Sequence, residues 1–258
     1  MKNWKKALFL TLIIAGILVV VAVLLGILNA TVLDGAINLG WTDYRYDNED
    51  APVEYNRGEG SVFSERITSI SVDWLEGNVR VEVCEDTFIS LSEQSEEPLN
   101  DADLVHWYVF PSEGGDELMI KSRESGSFFG GTPEKDLILR IPKSMLSQIG
   151  ALVIKSHDGD VTLEAVSAHA LNVECTDGDI RAHLSSVPQL LSIVAKDGQV
   201  QLLLPKNADF LLYWTKNSGV VVSDVGFTTE GGAYRFGAGG AQFYVTTDDT
   251  DLFLTFAK

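Results

Sequence analysis

Aspartates recur at one position of a short repeated pattern, and their spacing suggests a row of metal ligands. Asp158, Asp177 and Asp197 each precede a glycine and follow one another at intervals of 19 or 20 residues. Asp249 occupies the same position before Thr250. Carboxylate oxygens are the ligands that a hard cation such as Ca²⁺ prefers. If the repeats stack on one another, these four side chains would form a calcium ladder.

Turn chemistry is the alternative explanation of this column, and we favour it. Asp hydrogen-bonds the backbone in tight turns, and glycine supplies a positive φ. Stacked strands lie about 4.8 Å apart, and two charges at that separation in water repel by only about 1 kcal/mol. The sequence also lacks the glycine-rich calcium nonapeptide and the EF-hand loop. We therefore predict neither metal nor cofactor and keep the calcium ladder as the alternative.

Residues that could support enzymatic chemistry are scattered. A carbohydrate-active enzyme needs acidic groups, or an Arg or Lys, that converge on one groove, and Glu174 and Arg181 are the candidates for these roles. The chain has no nucleophile elbow, phosphate-binding loop or dinucleotide fingerprint. It has two cysteines, Cys84 and Cys175, and their pairing is left open. We predict that the protein is not an enzyme and has no catalytic residues.

The aspartates lie in the turns of a repeat that predicts stacked β-strands. Apolar residues alternate with polar ones on both sides of each turn, as expected for strands apolar on one face. Seven residues before the turn, the apolar position is held by Ile70, Leu152, Leu171, Leu191, Leu212 and Phe243. Two residues after it, the position is held by Val79, Val161, Ile180, Val200, Val221 and Leu252.

A fixed period favours an all-β, single-stranded β-solenoid with about six coils of ~20 residues each. An antiparallel sandwich, in which the Asp-Gly turns make hairpins, is the alternative. Residues 92–150 do not follow the period, so their path is left open as a looped-out coil or an inserted antiparallel sheet. Within them, residues 125–133 form a glycine-rich loop that contains Phe128 and Phe129.

The N-terminal sequence predicts a membrane anchor. The run from Ala7 to Leu28 holds 22 residues without a charge, and a spanning helix needs about 20. A cleaved signal, the alternative, has a shorter apolar core. We expect a cytoplasmic tip (residues 1–6), a transmembrane α-helix (7–28), a juxtamembrane linker (29–60) and an extracytoplasmic solenoid domain (61–258). The positive-inside rule orients this single-pass protein in the cell membrane.

The net charge restricts the classes of partner. The whole chain carries −18, and the first 28 residues contain three lysines and no acidic residue. The rest is therefore still more acidic and repels nucleic acid. We expect the lipid bilayer as a partner through the segment from Ala7 to Leu28, with a second copy or another envelope protein as further partners.

The chain resembles the bacterial putative-adhesin domains of unknown function, which are related to the toast-rack β-solenoids of envelope-stress proteins. The resemblance covers residues 63–258 and rests on four stretches: ITSISVDWLEGNVRVEV from Ile67, the turns SHDGDV and CTDGDI, LLLPKNADF from Leu202, and VTTDDTDLFLTF from Val245. Thr250 in place of the last turn glycine and Val220 after Gly219 depart from the pattern. The resemblance implies a stacked β fold at the cell envelope and no catalytic residues.

These observations favour a membrane-anchored, non-catalytic module for interaction, assembly or envelope stress. Its contact regions would be the aromatic loop 125–133 and an open C-terminal coil. A binding module for cell-wall polymer or calcium is the first alternative, and a carbohydrate-active enzyme is the second.

Overall fold

The computed structural model of the protein describes residues 55–62, 65–123, 133–248 and 250–258. The predicted membrane segment from Ala7 to Leu28, most of the aromatic loop 125–133 and Asp249 lie outside these residues.

The described part of the chain consists almost entirely of β-strands, with one turn of 3-10 helix at Lys143–Met145. The strands are β1 (Asn56–Arg57), β2 (Gly60–Val62), β3 (Ile67–Glu76), β4 (Val79–Cys84), β5 (Ile89–Gln94), β6 (His106–Phe110), β7 (Asp116–Lys121), β8 (Asp136–Pro142), β9 (Ala151–Asp158), β10 (Val161–Val166), β11 (Ala170–Asp177), β12 (Ile180–Leu184), β13 (Leu190–Asp197), β14 (Val200–Leu204), β15 (Phe210–Lys216), β16 (Val221–Ser223), β17 (Thr228–Glu230), β18 (Ala233–Phe236), β19 (Ala241–Thr247) and β20 (Leu252–Phe256). The first two strands start upstream of residue 61, where the sequence predicted the domain to begin.

The described strands form two sheets, and their central strands are parallel. Sheet A has 11 strands in the order β1-β6-β7-β3-β9-β11-β13-β19-β15-β18-β17, and sheet B has 9 in the order β16-β20-β14-β12-β10-β4-β8-β5-β2. Each central strand of sheet A is followed along the chain by one of sheet B, so a turn carries the chain from one sheet to the other. This arrangement fits the predicted β-solenoid.

The two predicted apolar columns line the space between the sheets. Leu152 pairs in register with Ile70 and Leu171, and all three side chains are buried. In sheet B, Val161 pairs with Val79 and Ile180, and these side chains are also buried. Burial of an apolar side chain of this size contributes about 1.5–3 kcal/mol, so the two columns form the stabilising core.

The coils do not stack in chain order. In space they run β7/β8, β3/β4, β9/β10, β11/β12, β13/β14, β19/β20 and β15/β16. The structure therefore adds to the six predicted coils a seventh, β7/β8, within the segment whose path was left open. Strands β5 and β6 pair antiparallel with this coil, so that segment contains both alternatives, a coil and antiparallel strands.

The prediction of an open C-terminal coil was wrong. The coil β19/β20 lies inside the stack, and β15/β16 covers it. The physical reason is polarity, because the strands of β19/β20 bury alternate residues along their whole length, whereas Thr215 and Lys216 at the end of β15 are exposed. A lysine in an inward position is tolerated at the end of a stack, where solvent reaches it, and is costly in the middle.

Close approach of successive turns explains the column of glycines. Gly159, Gly178 and Gly198 have φ values of 123°, 140° and 118°. A Cβ atom on any of them would lie less than 3.0 Å from the carbonyl oxygen of the turn glycine in the neighbouring coil. The turns therefore require glycine both for the backbone conformation and for the space between coils.

Candidate functional site

The residue after each turn glycine forms a ladder of hydrogen bonds between coils. Asp160 Oδ1 accepts a hydrogen bond from Asp179 N at 2.8 Å, and Asp179 Oδ1 accepts one from Gln199 N at 2.8 Å. Asn78 Oδ1 accepts from Asp160 N at 2.9 Å in the same way. These side chains join each turn to the next, so turn chemistry accounts for this column, although the bonded backbone belongs to the neighbouring coil rather than to the residue's own turn.

The candidate calcium ligands lie one residue before the glycines. Asp177 pairs in register with Asp158 and Asp197, and the side chains of all three are exposed. Among the described residues, no group of three His, Cys, Asp or Glu side chains could hold a metal ion. Asp249, the fourth member of the proposed ladder, lies outside the described part. The calcium ladder therefore stays the alternative to the prediction of no metal.

Arg181 connects two rungs of the ladder on the outer side of sheet B. Its Nη1 atom donates to Asp160 Oδ2 at 2.6 Å, and its Nη2 atom donates to Asp179 Oδ2. Burial raises the pKa of the Asp160 carboxyl, but the hydrogen bond from Asp179 N and the ion pair with Arg181 oppose this effect and leave the pKa below its usual value. The same ion pairs raise the pKa of Arg181. The cluster is a structural clamp between neighbouring coils.

Acid should weaken the clamp around Asp160. Because the folded pKa of Asp160 is lowered, its contribution to stability is present above about pH 4, the value for an unfolded carboxyl, and is lost as the pH falls through the folded pKa. Asp160→Asn keeps the oxygen that accepts from Asp179 N but removes the charge. Urea unfolding of the whole chain from pH 7 to pH 2.5 is expected to show a stability difference from wild type that shrinks in acid.

Asp197→Asn is the matched control for this measurement, because its carboxylate is exposed. It is expected to change the stability at pH 7 by less than about 0.5 kcal/mol, as is usual for an exposed side chain. A constant difference between Asp160→Asn and wild type across the whole pH range would contradict the assignment of the lowered pKa to Asp160.

The two residues considered for glycan chemistry do not share a groove. Glu174 lies on β11 in sheet A, and Arg181 lies on β12 in sheet B. Both alternate with core residues and point outward, so they lie on opposite outer faces of the solenoid. Acid or base catalysis by this pair on one glycosidic bond is excluded by that separation.

Cys175 is held in the core beneath the turns. Its Sγ atom donates to Gly159 O and to Gly178 O, each at 3.4 Å. Burial, together with the negative charges of neighbouring aspartates such as Asp160, raises the pKa of this thiol to about 12. Cys84 is half-buried, and both cysteines are free. A thiol that stays protonated is a poor nucleophile, so Cys175 has a packing role.

Exposed apolar residues lie at the end of the stack that is formed by the coil β15/β16 and the residues that follow it. Val220 and Val222 are 56% and 43% exposed, and Val225 and Phe227 are 37% and 39% exposed. These four residues, together with strand β16, are called the C-terminal edge below. The signal in the sequence that could have located this surface is Val220, which replaces the polar residue found after the other turn glycines.

Residues 147–254 match the family model of Toastrack DUF4097. This stretch of the chain is similar to a Toastrack domain. The match confirms the family resemblance drawn from the turns and columns of the sequence. It begins at Ser147, just before β9, and includes the C-terminal edge. The strands before β9 lie outside the matched residues and add further coils to the same two sheets.

A solved structure with low sequence identity shares the fold. A putative cell adhesion protein from Clostridium sporogenes is similar with a TM-score of 0.60 and 14% identity, over 79% of this chain and 100% of that one. A putative adhesin from Bacteroides fragilis aligns with a TM-score of 0.33 and 10% identity, over 77% of this chain and 97% of that one. The search of curated proteins finds no match to the chain.

In the described ranges, no helix is both long and apolar enough to cross a bilayer. The predicted anchor from Ala7 to Leu28 lies before residue 55, where the described part of the chain begins, and stays a prediction.

Proposed function

We propose that this protein is a membrane-anchored, extracytoplasmic Toastrack module that binds another protein at the cell envelope without catalysing a reaction. The observation that carries the proposal is the C-terminal edge. Four exposed apolar side chains lie there within eight consecutive residues of the chain, and exposed apolar surface of this kind marks interaction sites. The similarity to a putative cell adhesion protein supports an adhesive role.

The location of the module follows from the N-terminal sequence. The uncharged run from Ala7 to Leu28 is long enough to span a bilayer, and Lys2, Lys5 and Lys6 precede it. Basic residues are retained on the cytoplasmic side. The bilayer is therefore the first partner of the chain, and the acidic Toastrack domain faces outward.

A thiol already present in the chain provides the test of this topology. Intact cells that produce the whole chain are treated with a membrane-impermeant maleimide, and labelling is read by mass shift. Cys84, which is half-buried, is expected to react, whereas Cys175 reacts only after denaturation.

Two controls make the result unambiguous. Cys84→Ser should abolish labelling of intact cells. In lysed cells, Cys84 of the wild-type chain should be labelled whichever side of the membrane the domain faces. Labelling that requires lysis, with none on intact cells, would overturn the outward location.

A further inference from the structure

Three of the four sheet edges in the described structure are capped by a pair of antiparallel strands. Beyond the coil β7/β8, sheet A continues with β6 and β1, and sheet B continues with β5 and β2; beyond β15, sheet A continues with β18 and β17. In all three cases the two added strands pair antiparallel with their neighbours. Among the described strands, none lies beyond β16 in sheet B.

Strand β16 presents unpaired backbone groups to its open side. Leu252 N donates to Val220 O at 3.1 Å, and Asp224 N donates to Leu254 O at 3.3 Å. In a parallel ladder, alternate residues direct both backbone groups to the same neighbour. Val222 therefore faces β20, and the N–H and C=O groups of Val221 and Ser223 point away from it, toward the position that a further strand would occupy.

The unequal lengths of the two sheets define the space beside β16. Sheet A has two further strands, β18 and β17, beyond the coil β15/β16, whereas sheet B ends at β16. A strand added to β16 would therefore lie opposite β18 and would cover the aromatic residues at that end. Phe227 contacts Phe236 with ring centroids 5.4 Å apart, and Phe236 stacks on Phe210 at 4.6 Å. An added strand would thus shield Phe227 and Val225, which are exposed in the free chain.

The space beside β16 fits a single extended peptide segment but not a second solenoid domain. If β16 of another copy paired with β16, the two-fold axis would place that copy's sheet A where β18 and β17 lie. A single extended segment has no second sheet and avoids the collision. The net charge of −18 and exposed Asp224 at the edge favour a segment without acidic residues.

We infer that the C-terminal edge is a β-augmentation site, at which an extended segment of a partner protein pairs antiparallel with β16. The segment carries apolar residues at alternate positions and neutral or basic residues between them. Its backbone bonds Val221 and Ser223, and its apolar side chains cover Val225 and Phe227. This inference rests on the proposed interaction function and names the contact surface and the chemistry of the partner.

The test uses the whole chain in its own cells, with a photo-crosslinking amino acid in place of Val222. The same amino acid in place of Tyr244 is the matched control, because both residues are 43% exposed and Tyr244 lies on sheet A. Irradiation is expected to join the Val222 position, and not the Tyr244 position, to one protein. Mass spectrometry of the adduct is expected to locate the link in a segment with alternating apolar residues.

Two further results are required to support the inference. Val220→Lys, which adds a charge to the edge in the manner of natural edge strands, should lower the adduct yield at least about tenfold, equivalent to about 1.4 kcal/mol of binding. Leu190→Lys, the same kind of substitution at an exposed apolar residue on sheet A, should leave the yield unchanged. A synthetic peptide with the sequence of the linked segment should slow hydrogen exchange at the amides of Val221 and Ser223.

Several outcomes would overturn the inference. They are equal adducts at the Val222 and Tyr244 positions, the absence of an adduct, a link to a second copy of this chain or to lipid, and exchange protection elsewhere on the domain. These outcomes are separate from failure of the proposed location, which is read from maleimide labelling of Cys84 and does not depend on the edge.

Discussion

Replacing Gly178 with alanine is expected to destabilise the Toastrack domain by about 3–5 kcal/mol, from backbone strain and overpacking combined. The φ of Gly178 is 140°, a conformation that residues with a Cβ rarely adopt. The new methyl group would also press on Gly159 O of the neighbouring coil at less than 3.0 Å. Because that atom belongs to a turn packed in a column, neither coil can move aside without breaking further contacts. Urea unfolding of the whole chain, followed by tryptophan fluorescence, would measure the loss.

Gly231→Ala separates the two causes. Gly231 also has a positive φ, of 58°, but no atom lies within 4 Å of the position that its Cβ would take. Only the backbone cost remains there, about 1–2 kcal/mol. Equal losses from the two substitutions would show that close approach between coils does not contribute, which would contradict the stacked-turn description.

The core columns could be predicted because they depend on local rules. Strand side chains alternate, and a fixed spacing brings equivalent residues into register, so Leu152, Leu171 and Leu191 had to share a face once the turns at Gly159, Gly178 and Gly198 were recognised. The structure confirms this pairing residue by residue. No long-range information was needed for this part of the fold.

The order of the coils could not be predicted in the same way. Every coil presents the same backbone groups to its neighbours, so the period is equally compatible with several stacking orders. The insertion of β19/β20 before β15/β16 depends on differences in side-chain polarity, above all at Lys216. A lysine at this inward position indicates an end coil only when the alternative stacking orders are compared in three dimensions.

The C-terminal edge could not be predicted from the sequence either, because its position depends on the order of the coils. A polar residue after each turn glycine bonds the backbone of the next coil, as Asp160 does with Asp179 N, and the sequence does not tell which coil is next. Val220 N donates such a bond to Asp251 Oδ1 at 2.8 Å, but the side chain of Val220 has no polar atom with which to bond a further coil. The ladder therefore ends at Val220, and the edge that follows it becomes evident only once the order of the coils is known.

Val161→Asp is expected to unfold the domain or to cost about 4 kcal/mol or more, because it places an unpaired charge in the core. Val161 is fully buried, and its register partners Val79 and Ile180 are apolar and equally buried. No basic side chain shares this column, so the carboxylate would have to stay protonated or disrupt the sheet. Circular dichroism and urea unfolding of the whole chain would give the loss directly.

The adjacent residue offers a control with the same substitution on the opposite face. Thr162 pairs in register with Arg80 and Arg181 on the outer side of sheet B. Thr162→Asp would add a carboxylate between two guanidinium groups, so stability should change by less than about 0.5 kcal/mol. If Val161→Asp proved as harmless as Thr162→Asp, the inward column would be misassigned by one residue, and a shift of one residue would turn every side chain of the strand to the other face. A large difference between these two neighbours is therefore the most direct evidence for the register on which both the core and the C-terminal edge depend.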